Sequence, residues 1–189
     1  MIRNIIATIV LAVLSILSVA AQCPNNEVWY TTNDGKKADI YCYVNQDNRI
    51  ISHTFGNGKG VIKMEADLVD LNISFKYCRN LSTVTLPGSL ESISYSSFEN
   101  CSSLESVNIP TGVTTIAESA FAGCASLKDI TIPSGVQKIP IMAFAKCVSL
   151  TSVEIPEGVT SIDVAAFEGC TGLTSVQFPS TLTSIENRA

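Results

Sequence analysis

The sequence predicts a solenoid, a chain wound into stacked coils in which each coil is covered by the next. Two observations carry that prediction. Cysteines stand at 78, 101, 124, 147 and 170, each 23 residues from the last. Other rows keep the same step: Phe75, Phe98, Phe121, Phe144 and Phe167; Leu81, Leu104, Leu127, Leu150 and Leu173; Pro87, Pro110, Pro133, Pro156 and Pro179; Ile93, Ile116, Ile139, Ile162 and Ile185. One unit reads F-x-x-C-x-x-L-x-x-V-x-I-P-x-x-x-V-x-x-I, and chance does not put so many rows in register.

Met1 to Ala21 carries a single charge (Arg3), an apolar run from Ile5 to Val19, and small residues at Val19 and Ala21. That pattern reads as a cleaved secretory signal over residues 1–21. The competing reading is an uncleaved anchor, but the run is short beside the roughly 20 residues of a spanning helix. Cys23 invites a lipidation reading, which Gln22 opposes because a small residue is wanted there. The signal places the mature chain outside the cell, secreted or at the surface, with no membrane insertion after cleavage.

Residues 22–60 do not follow the period and read as a β-rich N-terminal cap. Asn26–Thr32 and Asp39–Val44 alternate as strands, with Asn33-Asp34-Gly35 as a turn between them. Trp29 reads as packing within this cap, or alternatively as part of a ligand patch. Gly56-Asn57-Gly58-Lys59-Gly60 lacks the spacing of a phosphate loop and reads as a tight turn.

Residues 61–189 read as about five repeats, the last incomplete. In each, the V-x-I alternation predicts a short strand with both apolar side chains inward. The proline after it has no N–H to donate and ends the strand. In Pro110-Thr111-Gly112 and its equivalents, proline suits the second position of a turn and glycine the fourth. A second short extended piece follows, as in Val113–Ile116. Ala117–Ala122 then reads as a single helical turn, with Gly123, Gly169, Asn100 and Lys146 at a left-handed cap position. One unit cannot enclose its own apolar side chains, so stability must come from stacking.

The motif Ala120-Phe121-Ala122-Gly123-Cys124, followed by Leu127, Ile130, Ile132 and Pro133, resembles the BspA-like class of leucine-rich repeats, and the resemblance covers residues 61–185. It implies short parallel strands in every coil. It also implies a secreted or surface protein, since such proteins occur in host-associated bacteria and some parasitic protists and are implicated in adhesion, coaggregation and immune recognition. The family brings no catalytic residues, so the resemblance implies binding without naming a site.

The residues themselves point away from several function classes. With the leader removed, 11 basic and 17 acidic residues leave a formal charge of −6. That disfavours nucleic acid, which wants a basic stripe, and anionic membrane surfaces. His53 is the lone histidine and has no evident nucleophile or carboxylate partner, so no enzyme is predicted. The ladder Cys78, Cys101, Cys124, Cys147 and Cys170 reads as a stacked row of small buried hydrophobes, with no geometry converging on a metal. No cofactor is expected. Cys23 and Cys42 stand outside the ladder and bracket the Trp29 strand, which makes them a candidate disulfide.

The candidate ligand-binding face is the outward row of the main sheet: Thr83, Thr85, Ser106, Asn108 and Asp129, continuing through Thr131, Ser152, Glu154, Ser175 and Gln177. These side chains are small and polar, so a weak protein-binding face and a plain solvated face both fit. A glycan fits less well, because stacking aromatics are missing from the row. The final unit stops at Glu186-Asn187-Arg188-Ala189 with no evident cap, and an open edge is a template for self-association. The function expected is a binding scaffold for an extracellular or cell-surface protein, with structural assembly through that edge as the alternative.

Overall fold

A computed structural model of the chain describes residues 23–42 and 49–189, so the leader expected at 1–21 lies outside the described residues. The cap contributes β1 (Glu27–Thr32), β2 (Tyr41–Cys42), β3 (Ile50–Gly56) and β4 (Lys59–Met64). β3 and β4 form a hairpin whose two turn residues, Asn57 (φ 50°) and Gly58 (φ 75°), both have positive φ. Such turns match the twist of the strands they join. β1 lies between β4 and the first coil and pairs antiparallel with both. In place of the turn expected at Asn33–Gly35 the chain makes a bend, with Gly35 at φ 68°, and β1 and β2 do not pair across it. β2 instead lies antiparallel to β6 (Ile73–Ser74).

The coils stack in parallel. The first row consists of β7 (Leu81–Thr85) and β9 (Ser106–Asn108), then β12 (Ser152–Glu154) and β14 (Ser175–Gln177). A second row runs through β5 (Asp70–Leu71), β8 (Ser92–Ile93) and β10 (Thr115–Ile116), then β11 (Lys138–Ile139), β13 (Ser161–Ile162) and β15 (Ser184–Ile185). The repeat length sets the register: Val84 lies opposite Val107, and Ile93 opposite Ile116. Pairing residues one period apart puts like on like, which is why the pattern survives as rows. The prolines accept a bond from the third residue on, as in Val113 N–H to Pro110 O at 3.1 Å. Proline is therefore the first residue of the turn, one place earlier than the sequence predicts.

The expected helical turn is not one, and no helix occurs among the described residues. The reason is backbone handedness. Ser119 (φ 56°) and Gly123 (φ 75°) are left-handed four residues apart, as are Ser96 and Asn100, Met142 and Lys146, and Ala165 and Gly169. A left-handed residue every fourth position prevents right-handed helical continuation. The freed N–H groups cross to the next coil instead: Phe121 N–H donates to Ala143 O at 2.9 Å and Gly123 N–H to Ala145 O at 2.7 Å. This third ladder runs one way, with each coil donating to the coil after it.

The core is a set of columns. Phe75, Phe98, Phe121, Phe144 and Phe167 stack with centroids 5.1–5.5 Å apart and planes within 12°. Beside them runs the cysteine ladder, buried except for the half-buried Cys170. From Cys101 onward each thiol donates to the carbonyl of the preceding coil's phenylalanine: Cys101 to Phe75 O at 2.9 Å, Cys124 to Phe98 O at 3.2 Å, Cys147 to Phe121 O at 3.3 Å and Cys170 to Phe144 O at 3.1 Å. Burial raises the first three of these thiols far above their ordinary range, so they are inert fillers that each satisfy one buried carbonyl.

Candidate functional site

The ten outward residues of the first row fall on one side of the coils but not on one unbroken sheet. β7 and β9 belong to the five-stranded sheet of order β3–β4–β1–β7–β9, while β12 and β14 form a separate pair. Between them Asp129–Thr131 joins neither neighbour, a departure from the continuous strand row predicted. Aspartate is a poor strand former, and Asp129 stands at the position that the neighbouring coils fill with Ser106 and Ser152. The gap leaves a cavity of about 290 Å³ lined by Asp129, Thr131, Ser152 and Glu154 over the backbone of Ile130 and Ile132. The second row is also interrupted, between β10 and β11, where a cavity of about 490 Å³ lies, although β11 itself pairs with β13.

The ten side chains differ in how free they are. Ser106, Asp129, Thr131, Ser152, Glu154, Ser175 and Gln177 are exposed. Thr83 and Thr85 are half-buried under β1, and Thr83 Oγ1 lies 2.7 Å from Thr31 Oγ1. Asn108 is exposed but committed. Its Oδ1 accepts from Leu86 N–H at 2.7 Å and its Nδ2 donates to Leu86 O at 3.4 Å, tying off the end of β7 just before Pro87. Asn108 therefore holds the strand end rather than offering a free amide.

What sequence reasoning missed is how far the cap extends this face. Val28 and Tyr30 point into the core, so Trp29 between them points out, paired in register with Thr85. Lys59 Nζ sits 3.2 Å from the centre of the indole, and Trp29 Nε1 donates to Glu27 Oε2 at 2.8 Å. Trp29 is thus not in the core: it is an aromatic side chain, held by a cation and an anion, at one end of the candidate face. The signal was present in the strict alternation of Val28-Trp29-Tyr30. What the sequence concealed was that β1 adds to the same sheet as β7.

His53 has no catalytic geometry. Tyr30 Oη accepts from Ala38 N–H at 3.3 Å, which leaves its proton for His53 Nε2 at 2.7 Å. Burial, reinforced by the Lys37 ammonium, pulls the imidazole down to about 4 and keeps it a neutral acceptor. Cys23 is a buried free thiol whose Sγ lies 3.2 Å from Glu27 O, and burial pushes it up to about 11. The side chain of Cys42 lies outside the described residues, and with it the expected Cys23–Cys42 disulfide. Among the described residues no group of histidine, cysteine or carboxylate side chains is arranged to hold a metal. Nor is any helix there long and apolar enough to cross a membrane.

Comparison with known proteins agrees with this architecture. A leucine-rich repeat protein from Bacteroides ovatus is 32% identical with a TM-score of 0.61, the match covering 71% of this chain and 34% of that one. A leucine-rich cell surface protein from Faecalibacterium prausnitzii is also 32% identical, with a TM-score of 0.52 over 56% of this chain and 31% of that one. The leucine-rich repeat protein of T. pallidum is 26% identical, with a TM-score of 0.53 over 65% of this chain and 68% of that one. The chain thus spans about a third of the length of the first two. No curated protein matches it. Residues 72–189 match the BspA type leucine-rich repeat region in six copies, and the chain belongs to that family.

Proposed function

We propose that this protein is a secreted or surface-displayed binding scaffold that takes an extracellular protein ligand on the outward face of its first row, in an adhesive role. The observation that carries the reading is the run of exposed polar side chains from Ser106 to Gln177, with the half-buried Trp29 indole at one end of the same face. Tryptophan is the residue type that most often anchors an interface, and small hydroxyl side chains beside it leave the backbone accessible. Each contact is modest, so many displayed copies strengthen binding by avidity. Family membership and the surface description of the Faecalibacterium relative support the location.

The test is binding of the purified monomer to immobilised extracellular matrix proteins and mucins. Saturable binding is expected, falling at least tenfold in Trp29→Ala and in the double variant Asp129→Lys, Glu154→Lys. Equal binding by folded variants would remove the face from the reading.

A second reading is assembly through the last coil, which exposes 57% of Phe178 and 56% of Ile185 beside half-buried Phe167, Leu173 and Val176. The one-way ladder limits its form. Phe167 and Gly169 N–H have no acceptor among the described residues, so two copies meeting edge to edge would set donors against donors. Association would therefore run through the apolar rows. Sedimentation velocity decides it: the reading requires concentration-dependent dimers that Phe178→Ser with Ile185→Ser abolishes.

A further inference from the structure

A cavity of about 360 Å³ lies where the cap meets the first coil, on neither strand row. Lys36 and Lys37 line it from the cap, and Lys76 and Arg79 from the coil. Two carboxylates, Asp34 and Asp39, also reach it, so the lining carries a formal +2 in a chain whose formal charge is −5. The cations differ in availability. Lys37 Nζ donates to His53 O at 2.8 Å, and Lys76 pairs with Glu99 at 2.6 Å. Lys36 and Arg79 are exposed, and neither charged group has a partner among the described residues. Asp34 is occupied: its Oδ1 accepts from Lys36 N–H at 2.9 Å and from Asn80 Nδ2 at 3.0 Å, fixing the cap loop to the coil. The site is therefore braced by Asp34, and it sets two cations without an ion pair, Lys36 and Arg79, against one exposed carboxylate, Asp39.

Tyr77, on the rim of the cavity, is 56% exposed and has φ 65°. The equivalent positions in later coils hold Asn100, Gly123, Lys146 and Gly169. An aromatic residue in the left-handed region is strained by about 1 kcal/mol, and folding alone is better served by glycine or asparagine. Nothing in the core needs this ring, because it faces solvent. Tyr95 is 58% exposed, and Lys76, whose Nζ lies 5.3 Å from the Tyr77 ring centre, is within electrostatic reach of both tyrosines. The exposed Tyr77 ring, lining the same cavity as Lys36 and Arg79, supplies what the first-row face between β7 and β14 lacks: a flat apolar surface for a sugar ring beside charges for its acidic substituent.

From this arrangement we propose that the cavity formed by Lys36, Arg79 and Tyr77 binds an acidic saccharide, with the two cations taking a sulfate or carboxylate and the tyrosine stacking on the ring. The site is independent of the protein-binding face. It lies around the coil from Asp129 and Glu154, whose charge opposes such a ligand.

Calorimetric titration of the purified protein tests this with four saccharide and anion probes, namely a sulfated uronic-acid disaccharide, its desulfated form, which keeps only the carboxylate, a neutral disaccharide, and inorganic sulfate, and with an acidic peptide and an oligonucleotide as competing ligand classes. The sulfated or carboxylate form is expected to bind, to weaken with added salt, and to exceed both the neutral sugar and inorganic sulfate; the first two arms tell which acid is preferred. Arg79→Gln and Lys36→Gln are each expected to weaken it at least tenfold. Tyr77→Asn relieves the backbone strain and folds well, and it is expected to weaken the sugar while leaving inorganic sulfate unchanged. The double variant Asp129→Lys, Glu154→Lys is expected to bind the sugar no worse, so loss of the protein-binding face and loss of this site are distinguishable. Equal affinity for the neutral sugar, unaltered binding in the Arg79 and Tyr77 variants, absence of binding by folded protein, or tighter binding of an acidic peptide or an oligonucleotide would each overturn the proposal.

Discussion

The two ends of the coil array carry the same side chains in different surroundings. At the N-terminal end the cap covers the first row, the phenylalanine column and the cysteine ladder. Tyr30 meets Phe75 edge-on at 6.0 Å, where another coil's phenylalanine would stack. The Asp39 carbonyl accepts from the Cys78 thiol, as phenylalanine carbonyls do for later cysteines. β1 covers the first row and β2 pairs with β6. At the other end Phe167, Cys170, Leu173 and Val176 are half-buried, and Ile185 is exposed. A coil therefore has no stability of its own. The same phenylalanine is a core residue or a partly wetted one depending on whether a neighbour lies over it.

The sharpest way to break this comparison is to truncate the same residue in both places. Phe121→Ala opens a cavity between two coils and is expected to cost about 4 kcal/mol, whereas Phe167→Ala, open to solvent on one side, is expected to cost about 2 kcal/mol. Urea unfolding measures both, and equal costs would contradict the neighbour argument. Next comes the cap itself. A Cβ at Gly60 would fall 1.9 Å from the Tyr30 ring, so Gly60→Ala is expected to destabilise by about 3 kcal/mol as the ring is displaced. An unchanged midpoint would mean that Tyr30 is not seated over the Phe75 column.

Acid is expected to act on the capped end. His53 is held at about 4 when folded against an ordinary 6.5. The unfolded chain therefore binds more protons between those values, and stability is full above about pH 6.5 and lost as pH falls towards 4. The expected loss is about 2 kcal/mol, discounted for partial exposure. His53→Gln should flatten that part of the pH profile, and an unaltered profile would assign the loss to other groups. The smallest effect is in the thiol column. Cys124→Ser, which retains a donor to Phe98 O, is expected to cost about 1 kcal/mol. Cys170 should be alkylated in the native protein well before Cys124, and simultaneous labelling would mean that the column opens as one unit.

Much of this was legible in the sequence because stacking puts residue i against residue i+23, so packing writes itself as rows. Phe121 and Cys124 announce their neighbours without any structure. The backbone signs were harder. Ala117–Ala122 has helix-forming composition, yet Ser119 adopts a left-handed conformation that nothing in its side chain advertises, since the preference comes from hydrogen bonds offered by the next coil. Trp29 was visible as a residue but not as part of the face, because cap-to-coil pairing depends on a non-repeating strand that periodicity cannot register. The gap at Asp129 was hidden for the opposite reason: the pattern continues through it, and only the aspartate, a poor strand former, hints at the interruption. Lys36 and Arg79 lie 43 residues apart and meet only because β1 returns to the first coil.

The most direct measurement is native-state hydrogen exchange resolved along the third ladder. The amides of Phe75, Phe98 and Phe121 donate across to the following coil and lie nearest the cap, so they should exchange only by global opening. Protection should then decline through Phe144 to Phe167, whose amide has no acceptor among the described residues. That gradient, with the cap closed and the last coil opening first, is the result predicted. Uniform protection along the array, or a cap that exchanges before the last coil, would contradict it.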